Sequence, residues 1–98
     1  MLSHVVLFWL KPDLTEAQRT DFRVQVNTLA TIPGVIQCHI GTPASTDRPV
    51  IDRTYSVGLN LIFPSMAAHD VYQVHPVHLA FVEKCKSMWT KVVIYDFE

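Results

Sequence analysis

Residues 55–63 read Tyr55-Ser56-Val57-Gly58-Leu59-Asn60-Leu61-Ile62-Phe63, and large apolar side chains mostly alternate there with small or polar ones. An alternation with a period of two residues predicts a β-strand that buries one face. We therefore expect a strand over about residues 53–63. Its buried face would carry Tyr55, Val57, Leu59, Leu61 and Phe63, and its opposite face Thr54, Ser56, Gly58 and Asn60.

The segments on either side of this strand predict the remaining elements. Largely apolar runs predict strands over about residues 3–11, 35–40 and 91–97. Thr15 and Gln18 have the spacing of a capping box, which predicts a helix from there to about residue 30. A second helix is expected in two pieces, the first capped by Ser65 and the second restarting at Pro76.

The resulting order is βαββαβ, within 98 residues that suffice for a single domain, 1–98. With both helices on one face, this order predicts a ferredoxin-like α+β fold with a four-stranded antiparallel sheet. The first and last strands are apolar on both faces, and two helices can cover only one. We therefore expect a homodimer in which two sheets pair through their second faces. The residues of that interface would be Val5, Leu7, Trp9, Val93, Tyr95 and Phe97.

Charge and composition argue against several classes of function. The net charge is −1, and the 8 basic and 9 acidic residues form no run, so neither nucleic acid nor an anionic membrane surface is an expected partner. The apolar start of the chain is too short to span a membrane and lacks the features of a signal peptide. Cys38 and Cys85 follow no metal or redox spacing. We expect buried free thiols and a cytoplasmic location.

Histidines supply the candidate chemistry. His78 falls on the apolar stripe of the last helix, where burial favours the neutral imidazole and suits a general base. Tyr72, at the end of the preceding helical piece, could donate its hydroxyl to a carbonyl oxygen. His4, on the first strand, could reach the same cavity as these two side chains, between the sheet and the helices. A histidine on an apolar helix face can equally be a structural core residue, so spacing alone leaves both interpretations open.

No metal and no cofactor is expected from the sequence. His75 and His78 are three residues apart, but Pro76 starts a helix between them, and His75 is most simply a helix cap. His69 beside Asp70 is typical of a solvated helix face. A glycine-rich phosphate loop is missing, and nothing specific supports an axial haem ligand.

Four stretches of the chain resemble one protein family. They are His4-Val5-Val6-Leu7-Phe8, Phe63-Pro64-Ser65, Tyr72-Gln73-Val74-His75-Pro76-Val77-His78-Leu79-Ala80-Phe81 and Trp89-Thr90-Lys91-Val92-Val93-Ile94-Tyr95-Asp96-Phe97. In this order and spacing they are similar to the stress-responsive A/B barrel (Dabb) domain family, over nearly the whole chain. The resemblance implies a dimeric α+β barrel with a ligand-sized cavity between sheet and helices. Some members also hold a cation on backbone carbonyls, which here would be near residues 32–35.

One plant branch of that family is a cofactor-independent polyketide cyclase. The resemblance to it implies that His78 is the catalytic base and that Tyr72 is the hydrogen-bonding partner. The expected binding residues are His4, Val6, Phe8, Val57, Leu59, His75, Phe81, Trp89, Val92 and Ile94. That branch carries a pocket histidine where this chain has Val57, and its aromatic pocket residues on the first helix are replaced around residues 23–26. These departures argue for a different ligand or for no reaction.

Two functions therefore remain open. The first is a homodimer that binds a small apolar molecule in its pocket without changing it. The second is a cofactor-independent cyclase or isomerase acting on a polyketide-like or other carbonyl substrate. Family resemblance alone does not decide between them, because one fold hosts many functions.

Overall fold

The computed structural model describes all residues, 1–98, and contains one four-stranded sheet. Its elements in chain order are β1 (Leu2–Leu10), α1 (Glu16–Asn27), a 3₁₀ turn (Thr28–Thr31), β2 (Gln37–Gly41), β3 (Val57–Phe63), α2 (Met66–Gln73), α3 (Pro76–Cys85) and β4 (Trp89–Phe97). The strands lie in the order β2-β3-β1-β4, and every neighbouring pair is antiparallel. The predicted ferredoxin-like α+β fold is confirmed, with the second helix divided into α2 and α3.

The helix starts follow the local sequence signals. The Thr15 hydroxyl accepts a hydrogen bond from the backbone N–H of Gln18 at 3.1 Å, and the Gln18 side chain accepts one from the N–H of Thr15 at 2.8 Å, which confirms the capping box. Ser65 caps α2 by accepting from the N–H of Ala68. These side chains satisfy backbone donors that the first helical turn leaves free, so each helix begins where its cap lies.

The core lies between the helices and the inner face of the central strand β1. Every second residue of β1 from Leu2 to Leu10 is buried, and the same alternation runs along β3. Helix α1 contributes Phe22 and Val26 to this layer. The second helical pair adds Tyr72, Phe81 and Cys85. Both cysteines are free thiols, but Cys38 is only half-buried, in contrast to its predicted burial, because β2 is an edge strand.

The predicted start of β3 is wrong by several residues. The strand begins at Val57, and Tyr55 lies on the opposite face of the sheet, with its ring centroid 6.4 Å from that of Trp9. Ser56 marks the break: its backbone N–H donates to the Phe8 carbonyl, and its hydroxyl accepts from the N–H of Leu10. This side-chain contact replaces the regular backbone pairing of the strands. The alternation seen from Val57 to Phe63 therefore does not extend back to Tyr55, and Tyr55 does not share the face of Val57.

The second face of the sheet has no helix over it. Tyr95 and Phe97 of β4 are 59% and 62% exposed. Val5, Leu7 and Trp9 of β1 are half-buried on the same face. A large apolar surface of this kind marks an interaction site. Among the helices, none is long and apolar enough to cross a membrane.

Candidate functional site

A cavity of about 160 Å³ lies between the inner face of β1 and β4 and helices α2 and α3. Ten of its thirteen lining residues are apolar. The structure brings together here most of the residues singled out from the sequence, namely His4, Val6, Phe8, Leu59, Tyr72, His78, Phe81, Trp89, Val92 and Ile94. An apolar enclosure of about 150 Å³ accommodates a molecule the size of benzene. The volume therefore suits one ring, or the reacting end of a longer molecule.

Two of the expected binding residues lie elsewhere. Val57 is buried but borders a groove beside Arg19 and Arg23 of α1 instead of the cavity. His75 turns its ring back to the helix, where Nδ1 accepts a hydrogen bond from the N–H of Val77 at 3.1 Å. His75 is thus the N-cap of α3, as its position before a proline indicates.

Three lining residues were absent from the expected set. Leu29 comes from the 3₁₀ turn after α1, Gln73 ends α2, and Val82 lies one turn after His78 on α3. Val82 could have been found from the sequence, because it shares the helical stripe of His78. The approach of Leu29 depends on how α1 packs against α3, which no local pattern encodes.

The ring of His78 is held in a defined orientation at the cavity wall. Its Nδ1 lies 3.0 Å from the backbone carbonyl oxygen of Gln73. Because a carbonyl only accepts, Nδ1 carries the proton, and Nε2 of the neutral ring is left as an acceptor. Burial lowers the pKa of His78 below its usual 6.5, which outweighs the opposing effect of the Gln73 hydrogen bond. Near neutral pH the ring is therefore an uncharged base.

Tyr72 lies beside His78, and their ring centroids are 4.7 Å apart. The side chain is 1% exposed, and its ring also contacts that of His4 at 5.5 Å between centroids. Burial raises the pKa of Tyr72 well above its usual value, and the nearby Cys38 and Asp96 add to the effect. The phenol therefore keeps its proton at neutral pH and can serve as a hydrogen-bond donor.

Behind this pair, His4 and His69 are buried next to Asp96. Nδ1 of His4 lies 2.5 Å from the Asp96 carboxylate, and burial lowers the pKa of His4 although this hydrogen bond opposes the shift. His69 was expected on a solvated face, yet it is 7% exposed and its ring packs 5.0 Å from that of His4. Its neighbour Asp70 is the residue that faces solvent.

The largest concavity on the molecule is elsewhere. It is an open groove of about 480 Å³ beside α1 and β2, bordered by Thr20, Arg23, Val24, Asn27 and Ile40. None of these residues is a general base or a reactive nucleophile at neutral pH. The cavity of about 160 Å³ is therefore the candidate site. It is partly enclosed and is lined by His78 and Tyr72, whose pKa values are both shifted by burial.

Comparison with known proteins agrees with this architecture. Residues 2–98 match the family model described as "Stress Responsive A/B Barrel Domain", or Dabb. The chain belongs to this family. The match extends over nearly the full length of the chain, so the Dabb domain accounts for every strand and helix described above.

Several known proteins are similar to this Dabb chain. Olivetolic acid cyclase from Cannabis sativa is 26% identical over 97 residues, covering 98% of this chain and 94% of the relative. A hydroxynitrile lyase structure from Passiflora edulis is 21% identical with a TM-score of 0.81, covering 98% of this chain and 90% of its own. A structure from Thermobifida fusca, described as a dimeric ferredoxin-like protein of unknown function, is 22% identical with a TM-score of 0.79, covering 98% and 88%. The two structures establish the fold, and they include both an enzyme and a protein without an assigned activity.

Proposed function

We propose that this Dabb protein is a cofactor-independent enzyme that removes a proton next to a carbonyl group of a small, mostly apolar substrate. The observation that carries the proposal is the pairing of His78 and Tyr72 at one cavity, with Nδ1 of His78 fixed by the Gln73 carbonyl. One group is a neutral base and the other a protonated donor. Such a pair is what proton abstraction from a carbon acid requires.

The reaction follows from the two protonation states. Nε2 of His78 takes a proton from the carbon next to the carbonyl, and the electron pair of the C–H bond moves onto the carbonyl oxygen. The Tyr72 hydroxyl stabilises the resulting enolate by donating a hydrogen bond. The enolate carbon then attacks a second carbonyl in the same molecule, and the His78 imidazolium returns its proton to the new alkoxide. The product is cyclised, and the base and the donor are both regenerated.

The size of the cavity limits the substrate. A volume of about 160 Å³ holds a single ring, which is below the roughly 300 Å³ at the lower end of ligand pockets. Val92 and Ile94 line the cavity from the edge strand and remain 38% and 49% exposed, so they mark its open side. We expect the reacting carbonyl to lie inside, with any longer tail leaving past these two residues.

We also propose that the protein is a homodimer in which the uncovered sheet faces pack together. The interface would consist of Val5, Leu7, Trp9, Val93, Tyr95 and Phe97. Support comes from the exposure of Tyr95 and Phe97 and from the similar Thermobifida fusca structure, which is described as dimeric. Burying this face would remove large apolar side chains from water. The burial would stabilise the dimer by about 25 cal/mol for each Å² of apolar surface.

Ligand binding without chemistry is the competing function. The apolar lining favours it, since ten of thirteen residues would contact a ligand without reacting with it. In this case the histidines would be structural, and a ligand would stabilise the protein without being changed. The relatives named as a cyclase and a lyase favour the enzymatic alternative, because both names describe transformations of small organic molecules.

The test is exchange of carbon-bound hydrogen for deuterium in a β-keto thioester probe, acetoacetyl-N-acetylcysteamine, followed by NMR. We expect the wild type to accelerate exchange. Because burial lowers the pKa of His78, the rate should fall only at a pH below the usual histidine pKa of 6.5, where His78 becomes protonated. His78→Gln should lower the acceleration by on the order of 10² to 10⁴-fold. Tyr72→Phe should lower it by about 10² to 10³-fold.

His39→Gln is the matched control, because His39 is an exposed histidine on β2 and lies outside the cavity. Its exchange rate should equal that of the wild type. If the wild type binds the probe, as seen by a shift in melting temperature, but exchange is no faster than in buffer, the protein is a binder and the enzymatic proposal is wrong.

A further inference from the structure

A second cluster of titratable side chains lies where β1, β4 and α2 meet. His4 and Asp96 are partners on neighbouring strands, with Nδ1 of His4 2.5 Å from Oδ1 of Asp96. His69 of α2 covers this pair, and its Nε2 lies 3.9 Å from Oδ2 of Asp96. One potential ligand atom from each of the three residues lies within 4.8 Å of the other two.

Nε2 of His69 has no hydrogen-bond partner although it is buried. The side chain as a whole is only 9% exposed, and its other nitrogen, Nδ1, lies 3.3 Å from the Asp70 carboxylate. Buried polar atoms in folded proteins nearly always have a partner. Here the nearest carboxylate oxygen, on Asp96, is beyond hydrogen-bond distance. The gap between the two groups suits an atom that both can bind.

We propose that His4, His69 and Asp96 form a binding site for a divalent transition-metal ion such as Zn²⁺. Two imidazoles and one carboxylate are a common donor set for zinc and neighbouring metals, whereas Mg²⁺ and Ca²⁺ prefer oxygen ligands. Three protein ligands leave a fourth position for water.

Only small movements are needed to form the site. Ligand atoms of a tetrahedral zinc site lie about 3.3 Å apart, given Zn–N and Zn–O distances of about 2.0 to 2.1 Å. The 3.9 Å separation of His69 Nε2 from Oδ2 of Asp96 must close, and the 2.5 Å contact of His4 Nδ1 with Oδ1 of the same carboxylate must open. Each of these two changes is less than about 1 Å. The ligand nitrogens of the two imidazoles, which lie within 4.8 Å of each other, must also move closer together. Rotation of the Asp96 side chain can supply part of the movement, because this side chain is 34% exposed.

The surroundings fit an ion that enters from solvent and is then held. The Phe63 ring packs against both imidazoles, with centroid distances of 6.3 Å to His4 and 5.7 Å to His69, and restricts their orientation. The Asp96 side chain is 34% exposed and provides a path of entry. Because His4 also lines the cavity, the ion would lie next to the space that a substrate occupies.

This inference differs from the expectation from the sequence that no metal binds. Residues 4, 69 and 96 lie on three different elements, so no short spacing motif joins them. The proposal rests on the cluster alone and does not depend on the role of His78.

The test is metal binding by chelator-treated protein, measured by titration with Co²⁺ and by competition of Zn²⁺ with a chromophoric chelator. We expect one ion per chain and the visible absorption of four-coordinate Co²⁺. His69→Leu and Asp96→Asn should each weaken Zn²⁺ binding at least about tenfold. His39→Gln, which alters an exposed histidine on β2, should bind as the wild type does.

Circular dichroism of the metal-free variants establishes whether each one is folded. Asp96→Asn keeps the test valid if His69→Leu does not fold, because Asp96 is partly exposed. The proposal is wrong if the wild type binds no stoichiometric ion, or if affinity is unchanged in the folded variants. It is also wrong if His39→Gln loses as much affinity as they do, since binding would then reside on surface histidines. None of these readouts uses turnover, so they do not bear on the acid–base chemistry.

Discussion

Three histidines within ten residues occupy different environments. His75 accepts a backbone hydrogen bond and caps α3, His78 donates to a backbone carbonyl and lines the cavity, and His69 is buried beside Asp96. The cap could be predicted because a proline follows it. The inward direction of His78 could be predicted from the helical stripe that it shares with Val82 and Cys85.

His69 was misplaced because the polar neighbour Asp70 suggested a solvated face. A better signal was available in the sequence, since His69 precedes Tyr72 by three residues and such residues share a helix face. The contact of His4 with Asp96 could not be found in this way, because the partners are 92 residues apart in the chain. The pairing depends on the register of β1 and β4, which only the folded sheet defines.

At the scale of single elements, helix starts are the most predictable feature of this chain. Thr15, Ser65 and His75 each cap a helix through contacts with residues two or three positions away. Such signals are local and do not depend on the tertiary arrangement. The start of β3 was not predictable, because a strand extends only as far as its neighbours pair with it, and Tyr55 lies beyond that point.

Thr15→Ala should lower the free energy of unfolding by about 1 kcal/mol, because the N–H of Gln18 loses its acceptor and the capping box is broken. Chemical denaturation monitored by circular dichroism measures this change. Thr46→Ala is the control, since Thr46 is an exposed loop residue outside every helix and strand. Equal stability of the two variants would contradict the role of the cap.

At the scale of the whole molecule, the main question is what covers the second face of the sheet. The apolar character of this face was evident from β1 and β4, because both strands are apolar at odd and even positions. Two helices cover the inner face only, and the outer face keeps Tyr95 and Phe97 exposed. A closed twofold dimer is the simplest assembly that covers such a surface on both copies.

Phe97→Glu should convert the proposed dimer to a monomer, because a carboxylate would be buried without a partner at the interface. Light scattering coupled to size-exclusion chromatography measures the mass directly. Leu79→Glu is the matched control, since Leu79 is 55% exposed on α3 and lies outside the sheet. It should remain dimeric. A wild-type protein that elutes as a monomer at all concentrations would rule out the dimer.

An NMR titration of the His78 ring nitrogens tests directly whether this side chain can act as the base. Burial predicts a pKa below 6.5 and therefore a neutral ring at pH 7, and the hydrogen bond to Gln73 predicts that the proton of this neutral ring is on Nδ1. This state leaves Nε2 free to take a proton from the substrate. A ring protonated on Nε2, or one that remains charged above pH 7, would contradict the assignment of His78 as the base.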